Sequence, residues 1–392
     1  MQRSGWVWSG MMLVCVATVL VEPPTGSARS VGRRATAATA AAARGEVYRS
    51  AVVMDADSGA VLFEKEAHQQ NPPASMTKMM LMLIVAERVR DGSLHWDDRI
   101  TTSAWASKVG GSQVYLKEGE VFPLSEMMEA IAIHSANDAS VAVAEAVAGS
   151  SDAFVELMNQ RAKELGMHDT VYHSPHGLPP GKGQQADMTS AHDMAIVARE
   201  LVKFPEVMKW SGTKEAPFRN GTMTLTNTNR LVRETNWVDG LKTGYYREAG
   251  FNVTATAKRD NLRLIAVVMG APQKRDCFGE AARLLTKGFG EYKELQAVKK
   301  GDIVANNVAV KDGKPGFVRV IAGDNVSVLA KRTDQPKLSV ELVLAGDVHA
   351  PLSANARVGD VIVREGDTVI GKVPALAADA VEKQTSLWKR LF

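Results

Sequence analysis

Apolar residues along this chain change their spacing three times. In the stretch NPPASMTKMMLMLIVAERV, residues 79–85 run through Met, Leu, Ile and Val without a polar break, which predicts a helix buried on every side. Pro72 and Pro73 halt regular structure just ahead of it, so the helix begins near Ala74 or Ser75. Upstream, two β-rich runs at 50–54 and 60–63 flank Asp57, Ser58 and Gly59 and predict a hairpin. Helical spacing dominates residues 75–204, in LSEMMEAIAIH, ASVAVAEAVAG and FVELMNQRAKELG. Strand-like runs return at 223–225, 250–257 and 262–269, and a helical stretch over 278–289 follows. Strands at both ends with helices between them predict an α/β unit whose sheet is completed by distant segments. From about Tyr292 the runs become short and alternating, as in FVRVIA, LSVELVLAG and GDVIVREGDTVIG, with KDGKPG, GDN and TDQP between runs. That texture predicts a small all-β domain. After Pro374 the spacing turns helical: Ala377, Ala380, Val381, Trp388, Leu391 and Phe392 share one face, with Asp379, Glu382, Lys383, Lys389 and Arg390 off it.

The N-terminus carries a different signal. Arg3 precedes an apolar segment over residues 6–21, and Gly26, Ser27 and Ala28 supply the small side chains that a signal peptidase reads. The segment is shorter than the ~20 residues of a spanning helix, so residues 1–28 are expected to form a cleaved secretory signal. Cys15 lies behind Val14, where a lipid-attachment signal wants a small residue, and lipidation is not expected. Residues 29–45, ending in ATAATAAAARG, are low in complexity and read as a disordered linker. A chain of 392 residues exceeds one compact core and implies two domains with appendages. Its net charge of +3, carried by scattered basic residues, offers no stripe for nucleic acid. Once the signal is removed Cys277 stands alone, so no intramolecular disulfide is expected and the fold depends on its core.

The chemical anomaly is a lysine at the mouth of the buried run. Ser75 and Lys78 are three residues apart and share a helical face. Burial disfavours the ammonium form, and a neutral amine within reach of a hydroxyl can act as its general base. The pattern S-x-x-K recurs at Ser211 and Lys214 and at Ser386 and Lys389. Those lysines lie in polar or terminal amphipathic surroundings and have no reason to lose their water. Ser135 and Asn137 fall between two helical patterns in IAIHSANDASVAVA, where the chain must turn, and by themselves read equally well as helix caps. The same S-x-N triplet at Ser353 and Asn355 belongs to the β domain. Lys242, Thr243 and Gly244 occur as a triplet once, in VDGLKTGYYREAGF, where glycine lets a backbone on an edge strand pass close to a ligand. His173 and His176 have no Cys or acidic partner near them in their loop, so no metal is expected, and no cofactor either.

In this order S-x-x-K, S-x-N and K-T-G resemble the penicillin-recognising serine enzymes. PPASMTK, GGSQVYLKEGE, HSANDASVAVAE, HGLPPGKGQQADMTSAHDMA and DGLKTGY are similar to the low-molecular-mass D-alanyl-D-alanine carboxypeptidases over residues 47–289. The β domain and terminal segment extend the resemblance to nearly the whole chain after the signal. It implies an α/β catalytic domain of antiparallel sheet and helices over residues 46–290, a small all-β domain over 291–374 and an amphipathic, membrane-anchoring helix over 375–392. It also implies roles. Ser75 attacks the carbonyl between two D-alanines while Lys78 takes its proton, Ser135 relays a proton to the leaving amine, and Asn137 holds the substrate amide. Lys242 and Thr243 meet the terminal carboxylate beside Gly244, and the N–H groups of Ser75 and Tyr245 form the oxyanion hole. Arg230 matches a family arginine near the carboxylate pocket. Three positions depart from relatives: Tyr245 replaces a histidine, Pro179 an aspartate, and Cys277 an arginine, for which Arg275 is the nearby substitute.

The activity so implied is removal of the terminal D-alanine from peptidoglycan pentapeptides through an ester on Ser75, with acylation by penicillins. A D,D-endopeptidase acting on peptide cross-links shares all three motifs and is the alternative. The E-x-x-L-N glutamate of class A β-lactamases is missing, so β-lactamase activity should be weak. A non-enzymatic wall-binding protein is disfavoured because every catalytic position is filled. The expected partners are peptidoglycan stem peptides, β-lactams and a membrane surface, at the periplasmic or outer face of the inner membrane.

Overall fold

A computed structural model describes residues 48–384, so the expected signal and linker and the last eight residues, 385–392, lie outside the described part. Strand β1 (Ser50–Asp55) is buried along its whole length and pairs with β2 (Val61–Lys65), the predicted hairpin. Two short hairpins follow: β3 (Arg99–Thr101) with β4 (Val121–Pro123), and β5 (Glu215–Phe218) with β6 (Met223–Thr226). Strands β7 (Val238–Tyr246), β8 (Gly250–Arg259) and β9 (Leu262–Ala271) then complete an antiparallel sheet of order β2-β1-β9-β8-β7. The first and last thirds of the catalytic region thus share one sheet, as the strand-helix-strand pattern requires.

Period-two alternation divides the sheet between two cores. Val52 and Met54 of β1 and Ile265, Val267 and Met269 of β9 face the larger one. Their neighbours Ala51, Val53, Leu264, Ala266 and Val268 face the other. The larger core is covered by α1 (Lys78–Arg90), α2 (Leu124–Glu129), α3 (Asn137–Ala148), α4 (Ser151–Glu164), α5 (Ala191–Leu201) and α6 (Pro205–Gly212). Helix α1 is buried from Lys78 to Ala86, as its lack of a polar face demands. Ser150 and Ser190 start α4 and α5 by accepting from the N–H groups of Ala153 and Asp193. Behind the sheet, after the short α7 (Arg230–Glu234), lies α8 (Lys274–Glu291). Its Phe278, Leu284, Leu285 and Phe289 are buried there, each contributing ~1.5–3 kcal/mol over exposure.

The all-β domain begins at Tyr292, immediately after α8. Its main sheet runs Leu338–Leu344, Arg357–Glu365, Thr368–Ala377, Phe317–Ala322, Ile303–Lys311 and Val348–His349. The expected boundary at residue 374 and the helical reading of residues 375–384 are corrected here; the rest of the expected helix lies outside the described residues. Residues Ala375 and Ala377 continue a strand, Val381 is buried, and Glu382–Lys383 pairs with Gly313–Lys314. Val373, Ala375 and Ala377 alternate into the core with a period of two, which places Ala377 on a strand and not on the expected helical face. Among the described residues no helix is long and apolar enough to cross a membrane.

Two glycines let the chain close around the start of α1. The helix emerges from a 3₁₀ turn, Ala74–Thr77, at the predicted position. A Cβ on Gly177, which has φ +77, would lie 2.0 Å from the Ala74 carbonyl oxygen, and one on Gly244 would lie 2.2 Å from that of Pro73. Asn252 of β8 pins the same turn, donating to the Pro72 carbonyl at 3.1 Å while accepting from the Gly270 N–H at 2.7 Å. Replacing Gly177 with Ala should therefore cost at least ~2 kcal/mol, from the left-handed backbone and the collision together. Gly279→Ala, on a helical site with open space, should stabilise by ~0.5–1 kcal/mol. Urea midpoints measure both, and a neutral Gly177→Ala would show that the turn is not held as tightly as this.

Candidate active site

The 3₁₀ turn sets Ser75 partly exposed at the sheet edge and Lys78 beneath it, wholly buried. Three oxygens surround the Lys78 Nζ: Ser75 Oγ at 3.0 Å, Asn137 Oδ1 at 2.7 Å and the His176 carbonyl at 2.6 Å. Burial holds the amine well below the ordinary lysine range, and the neighbouring Lys242 charge pushes the same way. Asp187 and Asp138 oppose the shift. A neutral amine has two N–H groups and one lone pair. The carbonyls of Asn137 and His176 can only accept, so they take both N–H groups, and the lone pair is left facing the Ser75 hydroxyl.

Ser135 and Asn137 come from the break between α2 and α3. A π-helical turn, Ala130–His134, ends α2, and Ser135 follows in the left-handed region at φ +65. That reversal brings the Ser135 hydroxyl within 2.9 Å of Lys242 Nζ, which donates to it and, at 3.1 Å, to the Thr243 carbonyl. Burial lowers the Lys242 pKa to about 7. Asn137, at the first turn of α3, donates from Nδ2 to the Gly110 carbonyl at 2.7 Å. Its neighbour Asp138 accepts from the Val114 and Leu116 N–H groups and so anchors the loop that borders the site.

Strand β7 is the free edge of the sheet, and Thr243, Gly244 and Tyr245 line a cleft of about 330 Å³ along it, with Ser75, Ser112 and Ser135 on the other wall. The Thr243 hydroxyl donates to Thr228 Oγ1 at 2.8 Å. Tyr245, 57% exposed, stacks on Phe251 with centroids 4.1 Å apart. Two cations, Arg233 and Lys274, line the cleft, and neither has an ion-pair partner among the described residues. Arg230, expected at the carboxylate pocket, is not part of that lining. It begins α7 and pairs with Glu234 at 2.6 Å, one turn along the exposed side. Arg275 is also turned away, largely exposed beside Asp276. Cys277 is buried under the sheet, and burial pushes its thiol far above the ordinary range.

The structure therefore gathers Ser75, Lys78, Ser135, Asn137, Lys242, Thr243, Gly244 and Tyr245 and leaves out Arg230. Sequence reasoning missed the loop that holds Lys78. Asp187 is buried and accepts from the N–H groups of His173 and Ser174 and from the hydroxyls of Ser174 and Thr77, at 2.6–3.0 Å. It thereby fixes the His176 carbonyl against Lys78. Half-buried, with burial and Lys78 lowering its pKa to about 3, the His176 ring is neutral, and its Nδ1 accepts from the Leu178 N–H.

Residues 36–273 match the family model described as D-alanyl-D-alanine carboxypeptidase, and residues 292–383 match the model of the penicillin-binding protein 5 C-terminal domain. The D-alanyl-D-alanine carboxypeptidase DacF of Bacillus subtilis is 37% identical over 339 residues, covering 86% of each chain. The crystal structure of a peptidoglycan synthesis regulatory factor, PBP3, from Streptococcus pneumoniae superposes with a TM-score of 0.74 at 26% identity, over 86% of this chain and 100% of that one. Penicillin-binding protein D2 from Listeria monocytogenes, in an ampicillin-bound form, aligns over 62% of this chain and 98% of its own, at 27% identity and a TM-score of 0.57. Matches of this extent, over both the helical-and-sheet region and the β domain, make the chain a member of the D-alanyl-D-alanine carboxypeptidase family of low-molecular-mass penicillin-binding proteins.

Proposed function

We propose that this serine-type D-alanyl-D-alanine carboxypeptidase uses Ser75 as its nucleophile and Lys78 as its general base. One observation carries the reading: the buried Lys78 amine lies 2.7 and 2.6 Å from the Asn137 and His176 carbonyl oxygens and 3.0 Å from Ser75 Oγ, so that in its neutral form both N–H groups go to the carbonyls and the lone pair faces the hydroxyl. Ser75 Oγ attacks the carbonyl between the last two D-alanines as its proton passes to Lys78. The N–H groups of Ser75 and Tyr245 receive the oxyanion. Collapse breaks the C–N bond, and the proton returns to the leaving amine through Ser135, which Lys242 contacts. Water then hydrolyses the ester. Thr243 and the unpaired cations Arg233 and Lys274 support recognition of a free carboxylate beside the scissile bond, in place of Arg230. Penicillins enter by the same attack, a reading supported by the ampicillin-bound relative. Trp388, Lys389 and Arg390 suit a membrane interface, so residues 385–392 hold an exported enzyme peripherally on the periplasmic or outer face of the membrane, beside nascent wall.

Mass spectrometry after incubation with benzylpenicillin should place the adduct on Ser75; an adduct on Ser211, or none, would falsify the assignment. Ser75→Ala should abolish acylation and Lys78→Ala should slow it by ~10²–10⁴-fold. Lys78→Arg should not restore it, because guanidinium stays charged.

The pH profile of a pentapeptide substrate separates the two lysines. As pH rises through the Lys78 pKa, well below the ~10.4 of a free lysine, the base becomes neutral and kcat/KM climbs. Above about 7 the free enzyme's Lys242 loses its charge and kcat/KM falls. A bound carboxylate favours the charged form of Lys242, so the fall in kcat should come at higher pH. Identical alkaline limbs would rule out Lys242 as a carboxylate partner.

Deleting residues 385–392 should release the enzyme to the soluble fraction with peptide hydrolysis intact. Retention in the membrane fraction would locate the anchor elsewhere.

A further inference from the structure

Alternation along β7 gives its two faces different company. Lys242 and Gly244 stand opposite Thr254 and Asn252 of β8, whose side chains reach the Ser75 turn at Met76 and Pro72. Thr243 and Tyr245 stand opposite Val253 and Phe251, which pack into the smaller core behind the sheet. The elements on that side add three more side chains to the cleft: Arg233 from α7, and Lys274 and Phe278 from α8. Lys274 and Phe278 are four residues apart, so one face of α8 presents a cation and a ring together.

The carboxylate anchors thus share their end of the cleft with three aromatic rings. Tyr245 stacks on Phe251 with planes inclined by 20° and keeps 57% of its surface exposed. Phe278, rooted in the smaller core, still lines the cleft. A cross-strand aromatic pair steadies a hairpin by itself, but it needs neither a third ring nor a cation beside it for that. The side chain of D-alanine is one methyl group, which covers little of such a wall. Apolar surface next to a carboxylate anchor rewards a terminal residue that removes more of it from water.

Building on the carboxypeptidase reading, we infer that the enzyme releases C-terminal D-residues whose apolar side chains are larger than that of alanine. The terminal carboxylate meets Arg233 and Lys274 while the side chain lies against Tyr245, Phe251 and Phe278. The bond broken is the same amide, and the proton goes to the amine of the larger leaving residue. The ester left on Ser75 is identical for every such substrate, so discrimination arises entirely before and during acylation, where kcat/KM reads it.

The test uses two pentapeptide stems that differ only in their last residue, D-alanine or D-leucine. Wild-type kcat/KM should be at least as high for the D-leucine end. Tyr245→Ala, an exposed site where folding is not at stake, keeps the backbone N–H and should shift the ratio toward D-alanine by about tenfold. Any loss of rate common to both peptides cancels in that ratio. Tyr245→Phe, which keeps the ring, should leave it in place. A wild-type preference for the D-alanine end, or a ratio unmoved by Tyr245→Ala, would overturn the inference. An equal shift in Tyr245→Phe would do the same, by giving the role to the hydroxyl. Failure of the carboxypeptidase reading looks different: the wild-type enzyme would free a D-amino acid from neither peptide.

Discussion

A primary amine taken out of water has to be supplied with oxygen partners or it will not stay in place, and the site is organised around that requirement at Lys78. Its partners come from three distant parts of the chain: the Ser75 turn, the first turn of α3 and the His176 loop. Each needs its own support. Asn137 is held through Gly110, the His176 loop through Asp187, and the Ser75 turn through Asn252 of β8. Desolvation of one amine thus constrains the loops that supply its partners, because an unpaired N–H in that interior costs more than a surface contact gains.

Lys242 extends the same constraint to the far wall. Two buried lysines in one site disfavour each other's charge, so the proton that one gives up is easier for the other to keep. The sheet makes the arrangement rigid. β7 is an edge strand, so one side of its backbone is open to the cleft while the other is locked to β8 in register. Gly244 allows that edge to approach the Pro73 carbonyl, which brings the Ser75 turn and the strand together without a side chain between them.

Much of this was legible in residue order. The unbroken apolar run after Lys78 gave away its burial, and the single K-T-G on a β-rich run marked the edge strand. Backbone acceptors were not legible. The His176 carbonyl accepts from Lys78, yet a carbonyl leaves no trace in residue identity, and Asp187 looks like any loop aspartate until its four donors are in view. Arg230 misled because α7 is only five residues long: its start faces away from the cleft and Arg233, three residues on, lines it. The end of the chain misled for a different reason. Alanine suits both periods, so Ala377 could be read on a helical face although Val373 and Ala375 already placed it on a strand.

The left-handed backbone at Ser135 has a consequence at the level of selection. An L-residue there stores ~1–2 kcal/mol relative to glycine, and among marginally stable proteins a substitution that recovers so much is readily available to drift. Ser135→Gly would relax the turn and delete the hydroxyl that Lys242 contacts in one step. Strain and polar contact are therefore carried by one residue, and no substitution at 135 relieves the first while keeping the second.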